Sequence, residues 1–185
     1  LPGILAPLLA AHPGLEVELA LSNRNENLLR READLAVRMV RPTQTGLVAR
    51  RIAGVRIGLY AHARYLAAHG TPQTPAELAF HVLIGPDRDA ATLAAMAAAG
   101  LDRRMLRFRC DREAAQLNAV RAGLGIGAAQ AGIARACPDL RPVLSAHFDF
   151  QLDCWLAMHE DLRASARVRL VFDHLAVHLP GALAG

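Results

Sequence analysis

The sequence predicts an α/β fold, in which helices cover the faces of a sheet. Along most of the chain, short apolar runs typical of strands alternate with Ala-rich segments whose apolar residues recur at helical spacing. Of the 185 residues, 53% are apolar and 21% are charged, which provides enough apolar surface for a substantial core. Only 3 cysteines and no evident internal repeat argue against a disulfide scaffold and against a repeat architecture.

The first part of the chain begins with a helix and continues through two strands. Apolar residues at helical spacing predict a helix over residues 1–12, which a Pro-Gly pair ends. Residues 15–21 alternate between apolar side chains and charged or small ones, so they predict a half-exposed edge strand. A turn at residues 22–25, a short helix at 26–31 and a strand at 35–40 follow.

The remaining elements continue the alternation to the end of the chain. The predicted strands cover residues 47–52, 55–61, 82–84, 105–108, 126–128, 143–144 and 148–158. The predicted helices cover residues 90–99, 112–122 and 130–136. A closing helix carries an apolar stripe through Phe172, Leu175 and Leu179 and places His174 and His178 on its polar face.

All 21 basic residues are arginines, and against 17 acidic residues they give a net charge of +4. A chain that binds nucleic acid concentrates such charge on one face, whereas these arginines are scattered as singles and pairs. The tightest group, Arg103, Arg104, Arg107 and Arg109, predicts a solvated strand face, with a phosphate-binding patch as the alternative. Net charge by itself therefore does not predict DNA binding.

Three features resemble cofactor or metal sites without their full pattern. Residues 123–129, GLGIGAA, resemble a dinucleotide fingerprint, but a predicted helix precedes them and a strand follows, the reverse of what that fingerprint needs. The histidine pair on the closing helix lacks an intervening Glu and a third ligand. Cys110, Cys137 and Cys154 lack CxxC spacing, which predicts reduced thiols and a cytoplasmic protein. We expect no cofactor, no metal and, because no apolar stretch reaches ~18 residues, no contact with a membrane.

Polar residues follow several predicted strands at their carboxyl ends. Ser22-Asn23 follows the first strand, and Arg38 and Arg41 border the second. Gly85-Pro86-Asp87 and Cys110-Asp111-Arg112 follow two later strands, and the second of these groups leads into a helix. Ligands of open α/β sheets gather at such strand ends, where helix N-termini bind anions. A shared binding site is one interpretation of this placement, and ordinary turns are the other.

Several of these segments, in this order, resemble the effector-binding domain of LysR-type transcriptional regulators. The similarity is carried by LP at the start, by HPGLEVELALSNRNENLLRREADLAVRMVRP, LVARRIAGVRIGLYAHARYLAAHG and LNAVRAGLGIGAA, and by WLAMHEDLRASARVRLVFDHL near the end. It extends from residue 1 to about residue 179, and the order of the segments is more specific than any one of them.

The resemblance implies the type 2 periplasmic-binding-protein fold, with two α/β lobes joined by two crossover strands and a small-molecule effector held between the lobes. By this likeness lobe I comprises residues 1–60 and 155–185, and lobe II comprises residues 61–154. The implied hinges are Tyr60, Ala61 and His62 on one crossover strand and Asp153, Cys154 and Trp155 on the other.

The same resemblance implies which residues contact the effector. They are Ser22, Asn23, Arg38, Gly85, Cys110, Asp111 and Arg112. Backbone N–H groups at a helix N-terminus and a guanidinium complement a carboxylate, so a carboxylate-bearing effector is expected. The domain is then a sensor that makes and breaks no bond, and we expect no enzymatic activity.

The sequence departs from the family pattern at its N-terminus. Family members carry a strand before the opening helix, inside the lobe I sheet, and a winged helix-turn-helix domain that reads DNA; we expect neither in this chain. DNA binding is therefore expected only through that missing domain. The pairing within the family implies a homodimer or tetramer in which residues 1–21 of one copy meet residues 113–122 of another. A periplasmic solute receptor and an enzyme of the same fold remain as alternatives.

Overall fold

The computed structural model describes residues 1–21 and 33–184. The predicted turn at residues 22–25 and the predicted helix at 26–31 lie outside the described residues. None of the helices in the described part of the chain combines the length and the apolarity that crossing a bilayer requires.

Helices and strands alternate through most of the described residues, as the sequence predicts. The helices are α1 (Pro2–Ala11), α2 (Ala63–His69), α3 (Ala90–Ala98), α4 (Glu113–Arg121), α5 (Ala131–Arg135) and α6 (Ala166–Leu183). The strands are β1 (Leu35–Arg38), β2 (Leu47–His62), β3 (Leu83–Gly85), β4 (Leu106–Arg109), β5 (Ile126–Gln130), β6 (Leu140–Val143) and β7 (Asp149–His159). Short 3-10 helices cover Pro75–Phe80, Arg103–Met105 and Glu160–Ala164. The predicted α/β class is confirmed.

The chain forms two compact units. Unit 1 is built from Leu1–Val55 together with Leu152–Ala184, and unit 2 is built from Arg56–Gln151. Strands β2 and β7 each contribute residues to both units, because each runs across a unit boundary.

In unit 1, helices α1 and α6 pack with the strands of a small sheet. Strand β1 pairs antiparallel with β7, with Leu35 opposite Met158 and Arg38 opposite Trp155. Pro2 occupies the first turn of α1, where a missing N–H costs no helical hydrogen bond. The core of this unit includes Leu5, Leu8, Leu156, Phe172, Leu175 and Leu179.

The closing helix α6 buries the apolar stripe that its sequence predicts. Its polar face differs from the prediction at His174, which is partly buried. The Nε2 atom of His174 donates a hydrogen bond to the carbonyl oxygen of Ile4, 2.8 Å away on α1. The interpretation of His174 as solvated is therefore wrong, and the helical periodicity of α6 could not reveal a partner at the other end of the chain.

In unit 2, the strands form a mixed sheet in the order β6-β2-β5-β3-β4. Strand β3 is parallel to both β4 and β5, whereas β2 is antiparallel to β5 and β6. Because β3 and β4 are parallel neighbours, their carboxyl ends lie at one edge of the sheet. The main core of this unit includes Tyr65, Leu78, Leu83, Leu106, Ile126, Val143 and Phe148.

Two strand boundaries differ from the sequence prediction. Residues 47–52 and 55–61 are one continuous strand rather than two, because the Ala53-Gly54 pair between them forms no turn. The strand predicted at 143–144 covers Leu140–Val143 instead. It ends before Leu144, which has a positive φ of 50° and therefore leaves the extended conformation.

The edge strand predicted at residues 15–21 is the clearest disagreement. These residues form no strand ladder with any other residue in ranges 1–21 and 33–184. Leu19 and Leu21 are 45% and 69% exposed. Alternation of apolar and polar residues predicts which side chains share a face, but a strand also needs a neighbouring strand to take up its N–H and C=O groups.

Candidate functional site

The candidate site is the edge of unit 2 where strands β3 and β4 end. Parallel pairing places Gly85 opposite Arg109, and the N–H of Cys110 then donates to the Gly85 carbonyl at 2.9 Å. A side chain at Gly85 would meet the Leu106 side chain, since a Cβ there would lie 2.9 Å from Cδ2. Packing against Leu106 inside the sheet therefore accounts for this glycine. The fold also brings Gly85 and Cys110 together, as expected for residues at the ends of neighbouring parallel strands.

The Asp111 carboxylate organises the loop that follows β3. Its Oδ1 atom accepts backbone N–H groups from Asp87, Arg88 and Asp89, at 2.7, 2.8 and 3.1 Å. These hydrogen bonds, led by the one from Arg88, lower the pKa of Asp111 below its ordinary value. Three consecutive N–H groups form an anion-binding concavity. Here the chain fills that concavity with its own carboxylate, so we assign Asp111 to positioning the loop.

The Asp87 carboxylate lies among three guanidinium groups. Nη2 of Arg103 is 2.6 Å from Oδ1, Nε of Arg88 is 3.2 Å from Oδ2, and Nε of Arg109 is 3.7 Å from Oδ1. The hydrogen bond from Arg88 and the charge of Arg103 help to hold the pKa of Asp87 below its ordinary value. The loop after β3 is thus tied to β4 and to the 3-10 helix before it.

Three of the four arginines in the group at 103–109 contact carboxylates within unit 2. Arg103 and Arg109 lie against Asp87, and Arg104 pairs with Asp102 at 2.7 Å. The Arg104 hydrogen bonds lower the pKa of Asp102 to about 2. These carboxylate partners favour the solvated-face interpretation over a phosphate-binding patch.

Two helix N-termini begin at the same strand ends. Helix α3 starts after Asp89, whose side chain accepts the Thr92 N–H at 3.0 Å. Helix α4 starts after Arg112, whose N–H donates to the Cys110 sulfur at 3.4 Å. The half-buried Cys110 thiol and the start of α4 are therefore adjacent, and unfilled N–H groups in the first turn of a helix favour anionic groups.

The other predicted contacts belong to unit 1. Arg38 ends β1 opposite Trp155, and the guanidinium carbon of Arg41 lies 5.4 Å from the centre of the Trp155 ring. Ser22 and Asn23 lie outside the described residues. Of the predicted effector contacts in unit 1, only Arg38 lies within the described residues.

The predicted hinge residues are held in strand ladders. Tyr60 pairs with Gly127 on β5 and with Pro142 on β6. The neighbouring Ala61 and His62 continue the ladder with β6. On β7, Asp153 accepts a hydrogen bond from Arg51, and Trp155 pairs with Arg38 on β1. Cys154 between them is fully buried. Burial raises the pKa of the Cys154 thiol. The hinge role of these residues and the predicted lobe boundaries stay predictions.

A cavity of about 350 Å³ lies elsewhere in unit 2. It is lined by residues 56–60 of β2, by α5, and by Ser145 and Phe148 among others. None of the five predicted effector contacts that lie within the described residues lines it. Among the described residues, no group of three or more His, Cys, Asp and Glu side chains is arranged to hold a metal ion.

Sequence reasoning missed the arginines that fix the loop after β3. The prediction of a solvated face for Arg103 and Arg109 did not include the contacts that both make with Asp87. A usable signal existed, because the predicted strands at 82–84 and 105–108 would place their ends together if they were parallel neighbours.

Replacing Asp111 with alanine is expected to lower the melting temperature and to speed hydrogen exchange at the amides of residues 87–89. Three backbone N–H groups, two of them in half-buried hydrogen bonds, lose their acceptor. Because the pKa of Asp111 is lowered in the folded chain, its contribution is complete above the ordinary value of 3.8 and is lost as the pH falls through the folded-state pKa. Exchange measured by mass spectrometry would check this.

The matched control for this variant is Asp139→Ala. The Asp139 side chain is 72% exposed, and its carboxylate lies 3.9 Å from Nε2 of His62. It should change neither the melting temperature nor exchange at residues 87–89. Equal behaviour of the two variants would contradict the positioning role of Asp111.

Comparison with known proteins agrees with this architecture. The family model described as LysR substrate binding domain matches residues 1–180. The regulatory domain of CrgA, a LysR-type transcriptional regulator from Neisseria meningitidis, superposes with a TM-score of 0.81 at 25% identity, covering 96% of this chain and 90% of that one.

Two sequence relatives are also transcriptional regulators. The HTH-type transcriptional regulator CrgA of Neisseria meningitidis is 38% identical over 86 residues, which are 44% of this chain and 29% of the relative. The probable HTH-type transcriptional regulator LtrA of Klebsiella pneumoniae is 28% identical over 200 aligned residues, which cover 98% of this chain and 63% of the relative. The chain thus spans less than two thirds of the length of these relatives. The chain belongs to the LysR substrate binding domain family and has the type 2 periplasmic-binding-like α/β fold of the regulatory domains of LysR-type transcriptional regulators.

Proposed function

We propose that this chain is the ligand-sensing regulatory domain of a bacterial LysR-type transcriptional regulator. The observation that carries the proposal is the convergence at the β3 and β4 ends, where Gly85, Cys110 and the start of α4 meet. Family membership adds that regulators of this kind couple a small effector to transcription. The domain works by shifting a conformational equilibrium, and such coupling is typically about 1 to 3 kcal/mol.

The proposed effector is a small molecule that carries a carboxylate. In unit 2 its contacts are Gly85, Cys110 and Arg112, and Asp111 holds the adjoining loop in place. Ser22, Asn23 and Arg38 complete the set that the family resemblance predicts. A guanidinium forms two parallel hydrogen bonds to a carboxylate, and the first-turn N–H groups of α4 favour the same charge.

The partners of the whole protein form a separate part of the proposal. A helix-turn-helix domain, the kind after which the HTH-type relatives are named, contacts DNA in the cytoplasm, and the regulatory domain modulates that contact. Copies of the chain associate as a dimer through residues 1–21 of one and 113–122 of the other. Exposed Leu9, Val17, Leu19 and Leu21 support this surface, because four large apolar side chains are left exposed within one segment of the chain and exposed apolar surface is typical of interfaces.

A thermal-shift screen of aliphatic, aromatic and amino acids against the chain tests the proposed function. At least one acid is expected to raise the melting temperature in a concentration-dependent way, since a ligand at about 100 times its Kd adds ~2.7 kcal/mol to stability. Titration of that acid by calorimetry should then show about tenfold weaker binding to Arg38→Gln and to Asn23→Ala.

The control for these two variants is Arg163→Gln, at an exposed position of the 3-10 helix Glu160–Ala164, which should bind as the unaltered chain does. Unchanged affinity in both Arg38→Gln and Asn23→Ala would remove unit 1 from the site. Chemical turnover of the bound acid would favour the enzyme alternative over a sensor.

A further inference from the structure

Unit 2 contains a buried tyrosine and histidine whose placement the proposed function does not explain. Tyr65 lies on α2 and is 3% exposed, and His81, which is 8% exposed, follows the 3-10 helix Pro75–Phe80. The Tyr65 hydroxyl accepts the N–H of Val82 at 2.9 Å and lies 3.3 Å from Nδ1 of His81. Val82 immediately precedes β3, so the hydroxyl anchors the start of that strand.

The hydrogen bond between the Tyr65 hydroxyl and His81 depends on the protonation of His81. A phenol has one proton to donate, and its oxygen already accepts the Val82 N–H. The phenol proton remains to be donated, and Nδ1 of His81, 3.3 Å away, accepts it when that nitrogen carries no proton. A proton on Nδ1 would turn that acceptor into a donor, and the Tyr65 hydroxyl would then lose the partner of its own proton.

The surroundings of His81 oppose its protonation. Burial is the main effect that lowers the pKa of His81 below its ordinary 6.5, and His69 on α2 lowers the pKa further. His69 stacks on Tyr65 with ring centres 4.4 Å apart, and its Nδ1 lies 3.1 Å from the Tyr65 carbonyl. Glu77 on the 3-10 helix has the opposite influence, but its oxygens already accept bonds from residues 73 and 74.

Strand β3 connects this cluster to the candidate site. It is only three residues long, and its last residue, Gly85, accepts the Cys110 N–H. The carbonyl of Val82 also accepts the N–H of Ile126 at 2.9 Å, so Val82 joins the cluster to β5 as well. A change at Val82 therefore reaches both ends of β3 within one short extended segment.

We propose that Tyr65 and His81 are positioning residues for the candidate site, and that protonation of His81 releases the start of β3 and loosens the ends of β3 and β4 in acid. The inference rests on the proposed function only for the use of the site, because the loosening itself concerns the chain without a ligand. The domain would thereby report acidification at the same strand ends where it senses its effector.

The sign of the pH effect follows from linkage. His81 stays neutral in the folded chain at pH values where the unfolded chain already binds a proton. The titration of His81 therefore does not change the stability of unit 2 well above the ordinary pKa of 6.5. Below that pH it lowers the stability, until His81 is protonated in the folded chain as well.

Hydrogen exchange of the unliganded chain at about pH 7.5 and about pH 5 tests the proposal. After correction for intrinsic exchange rates, the amides of Val82, Asp87 and Cys110 should exchange at least about threefold faster at the lower pH. His81→Asn keeps an acceptor close to the position of Nδ1 but cannot be protonated in this range, so its corrected rates should not depend on pH. Tyr65→Phe should exchange fast at both pH values.

The matched control is His147→Asn, which replaces an exposed histidine of the same unit and should retain the pH dependence of the unaltered chain. An alternative readout that does not depend on exchange is the loss of melting temperature between the two pH values, which His81→Asn should reduce. The proposal is overturned if the unaltered chain has pH-independent corrected rates at these amides, or if His81→Asn loosens in acid as much as the unaltered chain.

Discussion

Replacing Gly125 with alanine is expected to lower the free energy of unfolding by about 3 kcal/mol. A Cβ at this position would lie 2.2 Å from the carbonyl oxygen of Val82 and 2.9 Å from its side chain. Backbone cannot move aside as a flexible side chain can, so β5 must shift. The shift would break the hydrogen bond from the Ile126 N–H to that same carbonyl, at the point where β3 and β5 begin to pair. Urea unfolding followed by circular dichroism measures the effect.

The control for this variant is Gly181→Ala, in the last turns of α6. A Cβ there meets nothing within 4 Å, and alanine is favoured over glycine in helices by about 1 kcal/mol. Gly181→Ala should therefore be neutral or slightly stabilising. If the two variants unfold at the same urea concentration, the close approach of Val82 to Gly125 does not require a glycine at that position.

Replacing Leu156 with alanine is expected to lower the free energy of unfolding by about 3 to 4 kcal/mol. Leu156 lies on β7 opposite Val37, is 0% exposed, and belongs to the core that α1 and α6 share in unit 1. Truncation removes buried methyl groups and leaves a cavity that rigid neighbours fill only in part. The loss would be measured by chemical unfolding at neutral pH.

Leu152→Ala on the same strand is the control, because that side chain is 42% exposed. We expect it to change the free energy of unfolding by less than about 1 kcal/mol. Comparable losses for both variants would contradict the difference in burial between Leu156 and Leu152.

The glycine-rich string at residues 123–129 illustrates a feature that sequence reasoning resolved correctly. Gly123 has φ of 68° and follows the end of α4, and β5 begins at Ile126. A helix precedes the string and a strand follows it, the reverse of a dinucleotide site. The expected helix end and tight turn are confirmed, although the close approach of Gly125 to Val82 depends on a residue more than forty positions earlier in the chain.

Periodicity also predicted the helices well, because a helix forms hydrogen bonds within its own segment. The closing helix and its apolar stripe, the helix over residues 90–99 and the helix after Arg112 all occur close to their predicted bounds. The strand prediction at residues 15–21 was wrong because a strand needs a neighbouring strand, and the pattern of one segment does not show whether there is one. The prediction of a solvated His174 was wrong for the same reason, since its hydrogen-bond partner is the carbonyl of Ile4, far away in the sequence.

The sequence by itself determined the α/β class, the order of most elements, the family, and the presence of polar residues after the ends of β3 and β4. Only the tertiary structure decided what those residues do. It directs three loop N–H groups at Asp111, places three arginines around Asp87, and turns a Tyr65 hydroxyl toward Nδ1 of His81. The physical reason is that hydrogen bonds and ion pairs depend on distance and direction in space, and these partners are separated along the chain by 16 to 24 residues in the contacts that matter most.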